Sequence, residues 1–166
     1  MLARHGLGLV YGGAQVGVMG AVADGVLQAG GEVIGIIPHS LVRKEVAHQG
    51  LEDLRIVDSM HERKAQMADL ADGFLALPGG CGTFEELFEI VTWAQIGIHN
   101  KPIGLLNVAN YYDPLLALLD HAVAERFVHP AHRSLLLTDT DPERLLDAMN
   151  RYRTPVVNKW MDRDET

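Results

Sequence analysis

The most informative strand-to-helix junction of this chain is Pro78-Gly79-Gly80-Cys81-Gly82-Thr83-Phe84-Glu85-Glu86. An apolar run of strand length precedes it, and a segment of helical period follows. Glycine lets a backbone approach a ligand closely, and a helix N-terminus offers free N–H groups. Because parallel α/β sheets bind ligands where strands end and helices begin, this junction predicts both a parallel sheet and the place of its site.

On both sides of this junction, apolar runs of strand length alternate with longer segments of helical period along the whole chain. The predicted strands are Leu7–Tyr11, Glu32–Ile37, Leu54–Val57, Gly73–Leu77, Pro102–Asn107 and Ser134–Leu137. The predicted helices lie near Val18–Ala29, Met60–Ala71, Phe84–Ile96, Tyr112–Arg126 and Pro142–Tyr152. We expect one nucleotide-binding α/β domain over 1–153 and a polar tail over 154–166.

The composition narrows the range of functions. The 166 residues are 48% hydrophobic and 22% charged, as in ordinary globular proteins, and the formal charge is −8 without a cluster of lysine or arginine. That charge argues against a nucleic-acid partner. The one cysteine cannot form an internal disulfide, and no signal peptide or membrane span is evident. We therefore expect a cytoplasmic protein without a membrane partner, and the scattered histidines predict no metal site.

A second glycine-rich junction, Tyr11-Gly12-Gly13-Ala14-Gln15-Val16-Gly17-Val18-Met19-Gly20, follows the first predicted strand. It lacks the Gly-Lys-Ser/Thr of a P-loop, and its glycines miss the spacing of a dinucleotide fingerprint. Glycine also serves tight turns and close helix packing, so ligand contact and a purely structural role both remain open. Gly12, Gly13 and Met19 are the candidate substrate-binding residues here.

At the Pro78–Glu86 junction, Gly79, Gly80 and Gly82 leave the backbone without side chains, and Thr83 adds a hydroxyl at the start of the helix. Several donors would meet an anion there, and a phosphate is the natural occupant. In the alternative interpretation Thr83 is an N-cap and Glu86 completes its capping box. The adjacent Glu85 and Glu86 would then only interact favourably with the helix dipole in the first turn. Cys81 lacks a base partner nearby and is interpreted as a loop residue.

A third segment reads Ser59-Met60-His61-Glu62-Arg63-Lys64. Ser59 and Glu62 predict a capping box, which gives Glu62 a structural role. Arg63 and Lys64 place two cations where the helix dipole disfavours them, so a bound anion or a facing carboxylate should offset their charge. A solvated Arg-Lys pair is the alternative.

Taken together, the Pro78–Glu86 junction and Met60-His61-Glu62-Arg63-Lys64 resemble the paired PGGxGTxxE and HERK signatures of the Lonely Guy family. These cytokinin riboside 5′-monophosphate phosphoribohydrolases were long labelled lysine decarboxylases. The resemblance covers most of the chain and implies a Rossmann-like sheet with helices on both faces, in a homodimer. Matched by position, Arg63 and Glu86 are the catalytic pair. The substrate-binding positions are Glu45, Arg63, Lys64 and the stretch from Gly80 to Glu86.

The resemblance implies hydrolysis of the N-glycosidic bond of adenosine 5′-monophosphate, plain or N6-modified, to free base and ribose 5-phosphate, with no cofactor. Family members normally begin one strand and one helix earlier, so we expect that first strand and helix to be missing from this chain. Two other functions remain alternatives: a non-catalytic nucleotide or cofactor carrier of the same fold, and a pyridoxal-dependent lysine decarboxylase. The decarboxylase needs a Schiff-base lysine with a pyridinium partner, and this chain is small for one.

Overall fold

The computed structural model describes residues 1–42 and 46–155 of the chain, which divides into two compact units, Met1–Ala71 and Asp72–Thr166. Each unit contains a three-stranded parallel sheet with helices packed against it. Parallel strands need crossover connections, and the helices provide them.

The first unit holds β1 (Leu9–Tyr11), α1 (Gly17–Gln28), β2 (Val33–Pro38), α2 (His39–Val42), β3 (Asp53–Val57) and α3 (Met60–Leu70), after a short 3-10 helix at Leu2–His5. The strand order is β1-β2-β3. Ile36 and Ile37 of the central strand are fully buried, which fits the apolar sequence of a strand covered on both faces. Tyr11, Ala23, Val26 and Val33 join helix α1 to this sheet in one apolar cluster.

The second unit holds β4 (Phe74–Ala76), α4 (Cys81–Gln95), β5 (Ile103–Leu106), α5 (Asp113–Ala124), α6 (Pro130–Arg133), β6 (Leu136–Asp139) and α7 (Pro142–Asn150). A 3-10 turn, Val108–Asn110, joins β5 to α5, and the strand order is β4-β5-β6. Helix α7 lies so close to β5 that a Cβ at Gly104 would stand 2.7 Å from the Met149 sulfur. Ile103 and Leu105 of β5 and Leu145 of α7 are buried.

The predicted α/β arrangement of parallel strands flanked by helices is confirmed, and each predicted strand and helix has a counterpart. The largest difference at a site is the start of α4, which lies at Cys81 instead of Phe84. The single domain over 1–153 and the missing first strand stay predictions. Within the described ranges, no helix combines the length and the apolar character needed to cross a membrane.

Candidate functional site

Helix α4 begins inside the glycine-rich junction. Its N-cap is Gly80, and Thr83 already lies within the helix, so Thr83 is not the cap and makes no capping box with Glu86. The first turn of α4, all of it described, holds no acid, because Glu85 and Glu86 fall in the second turn. Both structural interpretations of Glu86, as a capping-box residue and as a first-turn dipole partner, are therefore wrong.

The start of α4 leaves backbone donors unsatisfied. The N–H groups of Cys81, Gly82 and Thr83 precede the first intrahelical donor, the Phe84 N–H that bonds the Gly80 carbonyl, and Gly80 has no side chain to cap them. A Cβ added at Gly80 or at Gly82 would meet nothing within 4 Å, so the space beside these two glycines is open. Bare N–H groups at the positive end of a 15-residue helix form a site that can hold a small anion.

Gly79 has a different reason to be glycine. A Cβ at this position would stand 2.2 Å from Oγ1 of Thr83 and 3.0 Å from its Cβ. The Thr83 side chain thus folds back over the loop and leaves no room for a side chain at position 79. This contact gives Thr83 a steric function in shaping the loop.

Two tyrosines that sequence reasoning missed hold the carbonyl groups of this loop. The Tyr112 hydroxyl donates to the Leu77 carbonyl at 2.5 Å, and the Tyr111 hydroxyl donates to the Gly79 carbonyl. Burial, followed by the neighbouring Tyr111, raises the pKa of Tyr112 to about 12, so Tyr112 stays a neutral donor. The adjacent tyrosines after an apolar strand were the available signal, but their targets lie more than 30 positions away.

Aromatic packing accompanies these hydrogen bonds. The Tyr111 ring lies parallel to Phe84, with centroids 6.5 Å apart and planes 8° apart. It meets Tyr112 edge-on at 5.2 Å. Phe84 therefore packs against a tyrosine at the loop.

In the first unit, the predicted site residue Arg63 is buried and makes defined contacts. Only 6% of its surface is exposed, so a solvated Arg63 is ruled out. Its Nε donates to the Ile36 carbonyl at 3.2 Å, and the guanidinium occupies the place where a side chain at Gly12 would stand. Helix α3 is held by Ser59, whose Oγ accepts from Glu62 N at 3.1 Å. Glu62 in turn accepts from Asp58 N at 2.9 Å, which confirms its structural role.

The first glycine junction is pinned by His48. Its backbone N–H donates to the Gly13 carbonyl at 2.9 Å, and its ring bonds Asp24 at 3.1 Å. Gly13 itself has φ +70°, which favours glycine, and a Cβ there would press on Ile37 and Leu54 at 3.1 Å. Gly12 and Gly13 thus have structural reasons to be glycine, while a role in ligand contact stays a prediction.

The remaining site predictions are placed as follows. Met19 is 41% exposed in the first turn of α1, Lys64 is half-buried on α3, and Cys81 and Glu85 are exposed on α4. Glu45 lies in 43–45, outside the described residues. Gly12 and Arg63 meet in the first unit, and in the second Tyr111 bonds Gly79 and packs on Phe84. Among the described residues, no group of three His, Cys, Asp or Glu side chains is arranged to hold a metal ion.

Comparison with known proteins matches residues 19–149 to a family model described as "Possible lysine decarboxylase". The chain is 53% identical over 144 residues to a probable cytokinin riboside 5′-monophosphate phosphoribohydrolase of Oryza sativa subsp. japonica, covering 87% of this chain and 63% of that protein. It is 51% identical over 149 residues to the cytokinin riboside 5′-monophosphate phosphoribohydrolase of Rhodococcoides fascians, covering 89% of this chain and 75% of that one. The chain thus spans about two thirds to three quarters of these relatives.

Proposed function

This chain belongs to the Lonely Guy family, and we propose on that premise that it hydrolyses the N-glycosidic bond of a purine nucleoside 5′-monophosphate. The substrate class is adenosine 5′-monophosphate or an N6-modified form, as in cytokinin activation. The relatives' names, which specify a cytokinin riboside 5′-monophosphate, support this class. The observation that carries the proposal is the bare, acid-free start of α4.

The proposed phosphate site is built from Gly80, Cys81, Gly82 and Thr83. A nucleotide phosphate is a small anion, and their N–H groups at the helix start can donate to its oxygens without a lysine or a metal. The open space at Gly80 and Gly82 leaves room for phosphate oxygens. The overall charge of −8 makes such local donors necessary, because the protein's net field repels a phosphate dianion.

Arg63 is proposed to bind a ribose or phosphate oxygen. Its Nε donates to the Ile36 carbonyl, which fixes the plane of the guanidinium and therefore the directions of its two outer nitrogens. A buried, preorganised guanidinium gives up less conformational entropy on binding than a solvated one does.

Glu86 is proposed to stabilise the reacting sugar and to activate water. As the bond between C1′ and the purine nitrogen breaks, positive charge develops on the ribose, and a carboxylate stabilises it. Water then adds its hydroxyl to C1′. The proton that this water loses is transferred to the nitrogen of the departing base and neutralises its charge. Glu86 lies in the second turn of α4 and has neither of the helix-start functions considered above.

Replacing Glu86 with Gln tests the assignment. We expect base release from adenosine 5′-monophosphate to fall by at least about 10³-fold, since the neutral amide loses the charge stabilisation. Nucleotide affinity, followed by isothermal titration calorimetry, should change by less than about tenfold. Glu89→Gln, one helical turn further along α4, is the matched control. Near-normal turnover by Glu86→Gln would refute the proposed role.

Product analysis of the wild-type protein separates the alternative functions. Free adenine with ribose 5-phosphate supports hydrolysis. Unchanged bound nucleotide supports a carrier, and carbon dioxide released only from lysine with pyridoxal phosphate supports the older family description.

We also propose a homodimer, as the family resemblance implies, and light scattering during size-exclusion chromatography measures the mass of the assembly.

A further inference from the structure

We propose that Tyr111 is a positioning residue for phosphate binding, because its hydroxyl fixes the orientation of the Gly79–Gly80 peptide at the start of α4. This inference rests on the proposed function and concerns the same site. Its basis is the hydrogen bond from the Tyr111 hydroxyl to the Gly79 carbonyl.

The geometry of one peptide unit carries the argument. The Gly79 carbonyl and the Gly80 N–H belong to the same planar trans peptide, so they point in opposite directions. When Tyr111 holds the carbonyl on its own side, the Gly80 N–H is held on the other. Two adjacent glycines would otherwise let this peptide rotate freely, and the reversed orientation would present a carbonyl oxygen to the phosphate. The Tyr111 hydroxyl therefore selects the orientation that presents a donor.

The turn that supplies Tyr111 is built at a conformational cost. Ala109 and Asn110 have φ of 51° and 61°, a left-handed backbone that residues other than glycine rarely adopt. Asn107, buried before them, holds this turn: its Oδ1 accepts from Tyr112 N at 2.7 Å, and its Nδ2 donates to Asp113 at 2.8 Å. The strained turn delivers a tyrosine to the glycine loop, which is a reason to maintain it.

The two tyrosines differ in what packing explains. Tyr112 is fully buried, so its ring belongs to the core and its hydroxyl satisfies the partly buried Leu77 carbonyl. Tyr111 is 43% exposed, and the face it shares with Phe84 would pack equally well as phenylalanine. What phenylalanine would lose is the hydrogen bond to Gly79, which points to a function for the hydroxyl at the loop.

Tyr111→Phe tests the inference, because it removes one oxygen and keeps the ring. We expect KM for adenosine 5′-monophosphate to rise about tenfold while kcat stays within about threefold. The dissociation constant of inorganic phosphate, measured by calorimetry, should rise by a similar factor, and that of adenosine, which lacks the phosphate, should not change. Tyr152→Phe, a partly buried tyrosine after α7, is the control and should alter none of these values.

The outcomes separate this inference from the proposed function. If the wild-type protein releases no adenine, the proposed function fails, and the phosphate titration still tests Tyr111 in the same protein. Unchanged phosphate affinity in Tyr111→Phe overturns the inference. Equal losses of phosphate and adenosine affinity also overturn it, since they indicate general damage to the fold. A weaker affinity for phosphate alone supports it.

Discussion

The guanidinium of Arg63 occupies the space that a side chain at Gly12 would need: a Cβ there would stand 1.7 Å from one terminal nitrogen and 2.7 Å from Cζ. We expect Gly12→Ala to displace the arginine from its bond to the Ile36 carbonyl. Turnover of adenosine 5′-monophosphate should fall by about 10²-fold or more, because misplacing one positioning group costs this much. Steady-state kinetics measures the loss.

Gly25→Ala is the control for that substitution. Gly25 is exposed on α1, and an added Cβ meets nothing within 4 Å, so the variant should keep full activity and gain up to about 1 kcal/mol of helix stability. If Gly12→Ala were as active as Gly25→Ala, Arg63 would not depend on the bare position, and its proposed contact with substrate would lose its structural basis.

At Gly82 the effects on stability and on binding should have opposite signs. Gly82→Ala lies within the first turn of α4, where alanine is the better helix former, and its Cβ meets no atom within 4 Å. The free energy of unfolding, measured in urea, should rise by up to about 1 kcal/mol. The added methyl group would occupy the proposed phosphate space, so KM should rise at least about tenfold. A variant with higher stability and unchanged KM would show that the phosphate does not bind at this turn.

The sequence predicted the parallel α/β arrangement because strand-length apolar runs and helical periods are local signals. The helix boundary was less accessible. Thr83 satisfies the rule for an N-cap, yet its side chain folds over Gly79, and the helix begins two residues earlier, at Cys81. A local capping rule was therefore overruled by packing within the loop.

The long-range contacts of Arg63 and the two tyrosines could not be predicted from the sequence. The unusual position of Arg63 in the helix was visible in the sequence, but its burial depends on Gly12 and Ile36, which are 51 and 27 positions away. The Tyr111 and Tyr112 hydroxyls reach carbonyls 32 and 35 positions back. No periodicity encodes such contacts, because the packing of strands, helices and loops within each unit brings the partners together.

His99 should make the stability of the protein depend on pH. Its Nε2 is 2.9 Å from the Ile90 carbonyl and its Nδ1 accepts from Lys101 N at 3.1 Å, an arrangement that requires the neutral ring. Burial lowers the pKa of His99 below its ordinary value of 6.5; the Ile90 carbonyl opposes this effect, and Lys101 adds to it. A lowered pKa means that this stabilisation is complete above about pH 6.5 and is lost as the pH falls through the folded-state value.

We therefore expect Tm to decrease as the pH is lowered from 7 to 5, and His99→Gln to flatten that decrease while lowering Tm at pH 7. Differential scanning calorimetry across this range measures both effects. His61→Gln, at an exposed position on α3, is the control and should keep the wild-type slope. The same slope in His99→Gln would assign the pH dependence to another group.

The acid-free first turn of α4 also affects how the protein responds to other anions in solution. A helix start without its own carboxylate carries its partial positive charge unneutralised, and it does not distinguish the phosphate of a nucleotide from that of a buffer. Inorganic phosphate and sulfate are therefore expected to compete with substrate. Rates measured in these salts should be lower than rates in zwitterionic buffers at equal ionic strength, and the phosphate concentration around the protein would set how much of it is open to substrate.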